Sequence, residues 1–305
     1  MVNKIWFHAD DYGVTKVQSE KILECFTEGV LNSISIIPNS KHLSEACMLL
    51  EQADSDRNIR RVLHLNFVEG QPISCVKDVP LLIDKEGYFD KSFIQYFKWN
   101  FVKTKNQRKE LVNQLKTEIR NQIRAVTKEN DFKITAIDSH QHYHMIPLIF
   151  DSLMEVLAEN EFEQLNISQI RISVDPVTPL LHSFKLLKRV PAINWIKWVI
   201  LKIYAGRNTR ILKRRGISVP VFFGIFFTCE MGLEVVKELL PLYKSHTDRK
   251  NAELELMFHP GSLAAENELL DARKRELADF YMSDNRFYEA ECLKQLENEN
   301  SKGVC

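Results

Sequence analysis

The chain has 305 residues, 45% of them apolar, and its 41 basic residues balance 41 acidic ones. That length and apolar fraction suffice for a sizeable core, and the zero formal charge argues against nucleic acid, an acidic polymer or a membrane surface as the main partner. The six cysteines form no C-x-x-C pair and no dense framework, no secretory leader is visible, and the most apolar stretch, 195–204, is far shorter than the roughly 20 residues a spanning helix needs; reduced thiols and a cytoplasmic location are expected.

From the N-terminus, β-branched runs at 4–9, 33–38, 61–66, 135–140, 169–174, 219–225 and 254–259 predict strands, with helical patterns between them. The first unit is the clearest: Thr15 and Gln18 make a capping-box pattern, Ile22, Leu23 and Phe26 form an apolar stripe, and Gly29 sits where a helix C-cap belongs. Alternating strands and helices predict an α/β fold with a mainly parallel sheet. About seven strands, and no Gly-rich loop after the first, favour a (β/α) barrel, regular or incomplete, with a flat doubly wound sheet as the alternative. The segment 69–131 has its own helical pattern at 107–128 and reads as an excursion over the barrel mouth, as does 176–215. No repeat or domain boundary appears, so 1–305 reads as one domain.

Chemistry concentrates at the predicted C-terminal ends of strands, the face on which β/α folds build active sites. Asp10 and Asp11 end the first, His64 the third, His140 with His142 and His144 the fourth, and His259 the last. Any one of these alone is weak, because a histidine ending a strand is more often a hydrogen-bonded structural residue. Four strand ends carrying such groups are hard to explain as structure. In 138–144, Asp138, His140, His142 and His144 share one parity, so an extended strand would project them from one face. Neutral imidazoles with one or two carboxylates suit a catalytic divalent ion that keeps a position open for water.

These residues fall into motifs that resemble the YdjC-like carbohydrate deacetylase family, which includes the chito-oligosaccharide deacetylases. The family's opening signature is Ala9-Asp10-Asp11-Tyr12-Gly13, its His-Leu-Asn turn is His64-Leu65-Asn66, and the next loop is Gly70-Gln71-Pro72. Its Asp-Ser-His-x-His-x-His motif begins at Asp138, its Glu-Leu-Met-x-His-Pro-Gly motif at Glu255, and Tyr281, Ser283 and Arg286 resemble its closing pattern. Departures are Val62 and Ser173, where the family has glycine and proline, and a tail after Leu293 without the final strand-like segment.

The resemblance implies a hydrolase that removes N-acetyl groups from an amino sugar or oligosaccharide, with Asp11, His64 and His140 holding one divalent metal ion. Magnesium is the ion it implies; the donor set suits zinc chemically. It further implies Asp10 as general base, Arg171 orienting it, and His259 as an acid that starts protonated and serves the leaving amine. Which of Asp10 and Asp11 is base and which is ligand rests on the resemblance alone. His142, Asn66 and Tyr12 are candidate substrate contacts, whereas His144 reads equally well as structural. The resemblance also implies a homodimer. Rival readings are another metal-dependent amidohydrolase, suggested by His140-x-His142, a deacetylase of a lipid-linked sugar, and a non-catalytic sugar-binding module, against which the intact Asp and His set argues.

One stretch is anomalous. Between Asp175 and Glu230 there is no acidic residue, while ten lysines and arginines accumulate around Trp195, Trp198, Ile200, Leu201 and Tyr204. Segment 185–215 reads as a surface toward anionic lipid or a lipid-linked sugar, or, more commonly for such patterns, as helices with solvated basic faces or a dimer contact.

Overall fold

Among the residues that the computed structural model describes, 4–102, 104–261 and 269–302, seven parallel strands form one sheet. They are β1 (Ile5–Tyr12), β2 (Ser33–Ile36), β3 (Arg60–Leu65), β4 (Ala136–Ser139), β5 (Gln169–Ile170), β6 (Val221–Phe223) and β7 (Leu254–Phe258), in the order β5-β4-β3-β2-β1-β7-β6. The edge strand β5 reaches the segment leading into β6 through one isolated parallel bridge, Gln169 to Ser218. The sheet therefore curls into an incomplete barrel, as the sequence pattern predicts.

Helices flank it: α1 (Lys16–Thr27), α2 (Leu43–Ala53), α3 (Phe93–Val102), α4 (Lys105–Thr127), α5 (Pro147–Leu157), α6 (Asn160–Glu163), α7 (Val177–Leu181), α8 (Phe184–Leu187), α9 (Ala192–Arg214), α10 (Leu233–Asp248), α11 (Arg275–Tyr281) and α12 (Asp284–Lys302). The Thr15 hydroxyl caps α1 by accepting from Gln18 N at 3.1 Å. Gly29 serves a closer purpose than a left-handed cap: a Cβ there would stand 2.7 Å from the Leu293 carbonyl oxygen, so only glycine lets the end of α1 approach α12 this tightly.

Side-chain alternation separates two cores. Ile34, Ile36, Leu63, Leu65, Ile137, Leu254 and Leu256 belong to the apolar cluster that the helices cover. The opposite parity, His8, Asp10, Ser33, Ser35, His64, Asp138 and Glu255, is buried too; the first six bond to one another inside the barrel, and Glu255 pairs with arginines. Arg60 is wedged among them, donating Nε to Ser33 Oγ at 2.8 Å and pairing with Glu255. Where an ordinary β/α barrel fills its interior with branched apolar layers, this one is filled by charge pairs, and buried charge persists only when it is paired.

β5 and β6 are shorter than the predicted 169–174 and 219–225. A side chain takes over from the ladder: the Asp175 carboxylate accepts the Gly224 and Ile225 N–H groups at 2.8 Å each and the Tyr243 hydroxyl at 3.0 Å. Within 69–131, α4 packs on β3 and α5. Its buried Gln114, Glu118 and Gln122, spaced by four on one face, hold the loop that follows β3. Gln114 accepts from Leu81 N, Glu118 from Ile73 N and Ser74 N, and Gln122 bonds both backbone groups of Asn66. Among the described residues no helix is long and apolar enough to cross a membrane.

Candidate metal and catalytic site

The site begins with an irregularity in β1. Its pairing with β2 runs His8 to Ser33 and Ala9 to Ile34, then jumps to Tyr12 with Ile36, so Asp10 and Asp11 together oppose Ser35. Asp11 has φ +64, a left-handed conformation that aspartate tolerates better than most residues. Such a bulge re-aims side chains. Two adjacent aspartates thereby both enter the barrel, which strict alternation forbids.

Asp11 Oδ1 lies 3.0 Å from His140 Nδ1 and 3.4 Å from His64 Nε2. Ligand atoms of the three buried residues all lie within 4.8 Å of one another. Each histidine has its other ring nitrogen directed at a different carboxylate: His64 Nδ1 and Asp138 Oδ1 share a 2.7 Å hydrogen bond, and His140 Nε2 faces Glu69 Oε1 at 3.0 Å. Carboxylates that fix ring orientation in this way are the usual outer partners of metal-binding histidines, so the residues present fit a divalent ion. A second grouping, His8, Asp10 and Asp138, is also close enough for a metal, but the Arg171 guanidinium already neutralises it, with Nη2 2.7 Å from both Asp10 Oδ1 and Asp138 Oδ2.

Asp10 is clamped by Arg171, which donates to both carboxylate oxygens at 2.7 and 2.9 Å. Burial opposes its charge, but Arg171, His64 and His8 hold the carboxyl well below the usual range. For Asp11, burial is likewise overcome by the His140 and His64 imidazoles. Across from Asp10 Oδ2, His259 Nε2 stands at 3.9 Å, and the His259 backbone N–H donates to Glu289. Burial pushes His259 down to about 4, so it is neutral near pH 7 rather than protonated at the outset as expected. Burial raises Glu289 to about 7.

Asp10, His64, His140, His142 and His259 line a cleft of about 480 Å³, with α3, α9 and α11 at its rim. Such a volume suits a small ligand. The 138–144 motif is not extended. The strand ends at Ser139, and Gln141 and His142 take φ +48 and +62, so the three histidines diverge. His142 turns to the cleft, with Nδ1 unpartnered among the described residues. His144 turns away: its nitrogens meet Ser139 Oγ at 2.6 Å and the Arg171 carbonyl at 2.8 Å, a structural placement.

Two expected substrate contacts do not face the cleft. Tyr12 is fully buried and donates its hydroxyl to the Ala46 carbonyl. Asn66 is also fully buried, accepting from Val68 N and donating to Asn39 Oδ1 and the Glu69 carbonyl, so it shapes the loop that presents Glu69. Sequence reasoning missed Glu69 and Glu289 and gave Asp138 no role of its own. Tyr281, which donates to Glu69 Oε1 at 2.6 Å, and Arg286, 3.4 Å from Asp11 Oδ2, signalled themselves only as the closing motif.

A curled parallel barrel carrying an Asp/His/His cluster above a charge-paired interior defines the class of molecule. The chain belongs to the YdjC-like protein family, whose model matches residues 4–296. It is 24% identical to a carbohydrate deacetylase of Xenopus laevis, over 97% of this chain and 93% of that one. A carbohydrate deacetylase of Thermoanaerobacter pseudethanolicus is 28% identical over 49% of this chain, and the match spans about half, 54%, of that relative's length. A chitooligosaccharide deacetylase of Proteus mirabilis is 23% identical over 51% of this chain and 55% of its own. Among solved structures, a cellobiose-phosphate cleavage protein of Enterococcus faecalis shares the fold with a TM-score of 0.67 at 16% identity, covering 99% of this chain and 95% of the other.

Proposed function

We propose that this chain is a divalent-metal-dependent hydrolase that removes the acetyl group from an N-acetylated amino sugar or oligosaccharide. The observation that carries the reading is the convergence of Asp11, His64 and His140 beside the Arg171-clamped Asp10, with His64, His140 and Asp10 lining the cleft. The names of the relatives, carbohydrate and chitooligosaccharide deacetylases, supply the substrate class.

Asp11, His64 and His140 would hold the ion. When bound, it supplies Lewis acidity, lowering the pKa of water and polarising the acetamido carbonyl. The remaining work falls to side chains. Asp10, kept ionised by Arg171, takes a proton from the attacking water as the new C–O bond forms. His259, 3.9 Å away and neutral, relays that proton to the sugar nitrogen as the C–N bond breaks, releasing acetate and a free amine. His142, with a free ring nitrogen in the cleft, contacts the sugar. Acetate release from a panel of N-acetylated mono- and oligosaccharides tests the proposal, with Asp10→Asn and His64→Ala as controls; no release from any sugar by metal-loaded protein would remove it.

A further inference from the structure

Helix α9 carries apolar residues on both sides. Leu201, Ala205 and Leu212 are buried and Trp195 and Trp198 pack against the core, yet Ile193, Ile196, Val199 and Ile203 on the outer side are 55, 55, 52 and 58% exposed. Contiguous exposed apolar surface of this kind marks a contact site. Helix α3 extends the patch with Ile94 and Phe101, 58 and 71% exposed, and the Phe97 and Tyr204 rings, 5.7 Å apart, make the two helices neighbours. Ile94, Lys197 and Ile200 line the catalytic cleft, so the patch borders its mouth.

Neither α3 nor α9 carries a carboxylate, and the acidic groups near the patch, Glu276 at the cleft rim, Asp151 and Glu234, come from neighbouring elements. The ten cations between Asp175 and Glu230 face no carboxylate of their own segment. Glu234 neutralises Lys185 and Arg189, and Asp151 neutralises Arg207, whereas Lys197, Lys202, Arg210, Lys213 and Arg214 lie exposed along α9. Exposed isoleucines interleaved with lysines and arginines on one helix are the pattern of a segment that lies in a headgroup layer, apolar side chains inserted and cations on anionic lipid. A second copy of this chain would set two α9 helices, each basic and without a carboxylate of its own, against each other, where like charges oppose association.

The geometry points to the outer face of α9 with α3 as a docking surface for an anionic lipid bilayer, with the cleft mouth turned toward the headgroups. The docking does not depend on the deacetylase reading, because vesicle binding is measured without turnover. Where both hold, the substrate is an acetylated sugar presented at the membrane surface.

The test is co-sedimentation of the full chain with phosphatidylcholine vesicles, with and without phosphatidylserine, at low and high salt. Preferential binding to the anionic vesicles, weakened by salt, is expected. The Lys197→Glu/Lys202→Glu double variant should lose about ten-fold or more in partitioning, and Ile196→Ser/Val199→Ser/Ile203→Ser a comparable factor. These side chains are exposed, so far-ultraviolet circular dichroism should be unchanged; should a variant misfold, the comparison of vesicle compositions with the parent chain still decides. Equal binding to neutral vesicles, or none to anionic vesicles at low salt, overturns the proposal. So does a dimer, seen by gel filtration, that the isoleucine and valine substitutions dissociate while vesicle binding is absent; that result assigns the face to a second copy.

Discussion

His140 Nε2 faces Glu69 Oε1 at 3.0 Å, leaving Nδ1 of the same ring turned toward Asp11. Glu69 comes from the loop after β3, not from a strand, and is fully buried. It is held from two directions, by the Tyr281 hydroxyl at 2.6 Å and by the loop bonds that Asn66 makes under the grip of Gln122. A carboxylate so fixed sets which nitrogen of His140 a metal meets. Glu69→Gln should therefore weaken divalent-ion binding by about 10–100-fold, with Tyr281→Phe weaker in effect, measured by titration calorimetry. Unchanged affinity in Glu69→Gln would show that His140 is oriented without it.

Arg171 joins three buried carboxylates, Asp10, Asp138 and Glu255. Removing one partner from a buried ionic cluster leaves the others uncompensated. Arg171→Met should cost about 3–5 kcal/mol of stability in urea unfolding, and Arg171→Lys less, since it restores the charge without the two-pronged clamp on Asp10. A loss within the ordinary surface range of about 0.5 kcal/mol would contradict the role given to the charge-paired interior.

Asp175 predicts a pH dependence of opposite sign to the usual carboxylate. Burial pushes it from 3.8 up to about 6, against the Gly224 and Ile225 N–H groups and the Tyr243 hydroxyl. The folded chain keeps this proton until about pH 6, whereas the unfolded chain releases it near 3.8. Its contribution to stability is thus complete below about 3.8, falls as the pH rises to about 6, and is constant above that. The stability of the parent chain minus that of Asp175→Asn should drop by about 3 kcal/mol across this window, read from urea unfolding at a series of pH values. A difference that does not change with pH would contradict the shift.

Much of this was legible in the sequence because strand alternation and strand-end chemistry are local. Asp10, His64, His140 and His259 line one cleft, Asp11 clusters with His64 and His140, and α1 starts at the predicted Thr15 cap. What was not legible depended on breaks in the period or on distant segments. A bulge of one residue brings Asp11 in beside Asp10, and two left-handed residues, Gln141 and His142, undo the shared parity of the histidines. Tyr12 and Asn66 sit inside recognisable motifs, but they serve the core and the loop, which motif membership alone does not distinguish from substrate contact. Glu69 and Glu289 come to the site from a loop and from α12, where no periodic signal marks them.

The central claim is hydrolysis of an N-acetylated sugar that depends on the ion held by Asp11, His64 and His140. The most direct test measures acetate and bound metal together on the same preparations of the parent chain, His64→Ala and Asp10→Asn. The account predicts that the parent chain binds about one ion and releases acetate, that His64→Ala loses both, and that Asp10→Asn keeps the ion while its turnover falls by about 100-fold or more. Acetate release that survives chelation, or that persists in His64→Ala, would contradict it.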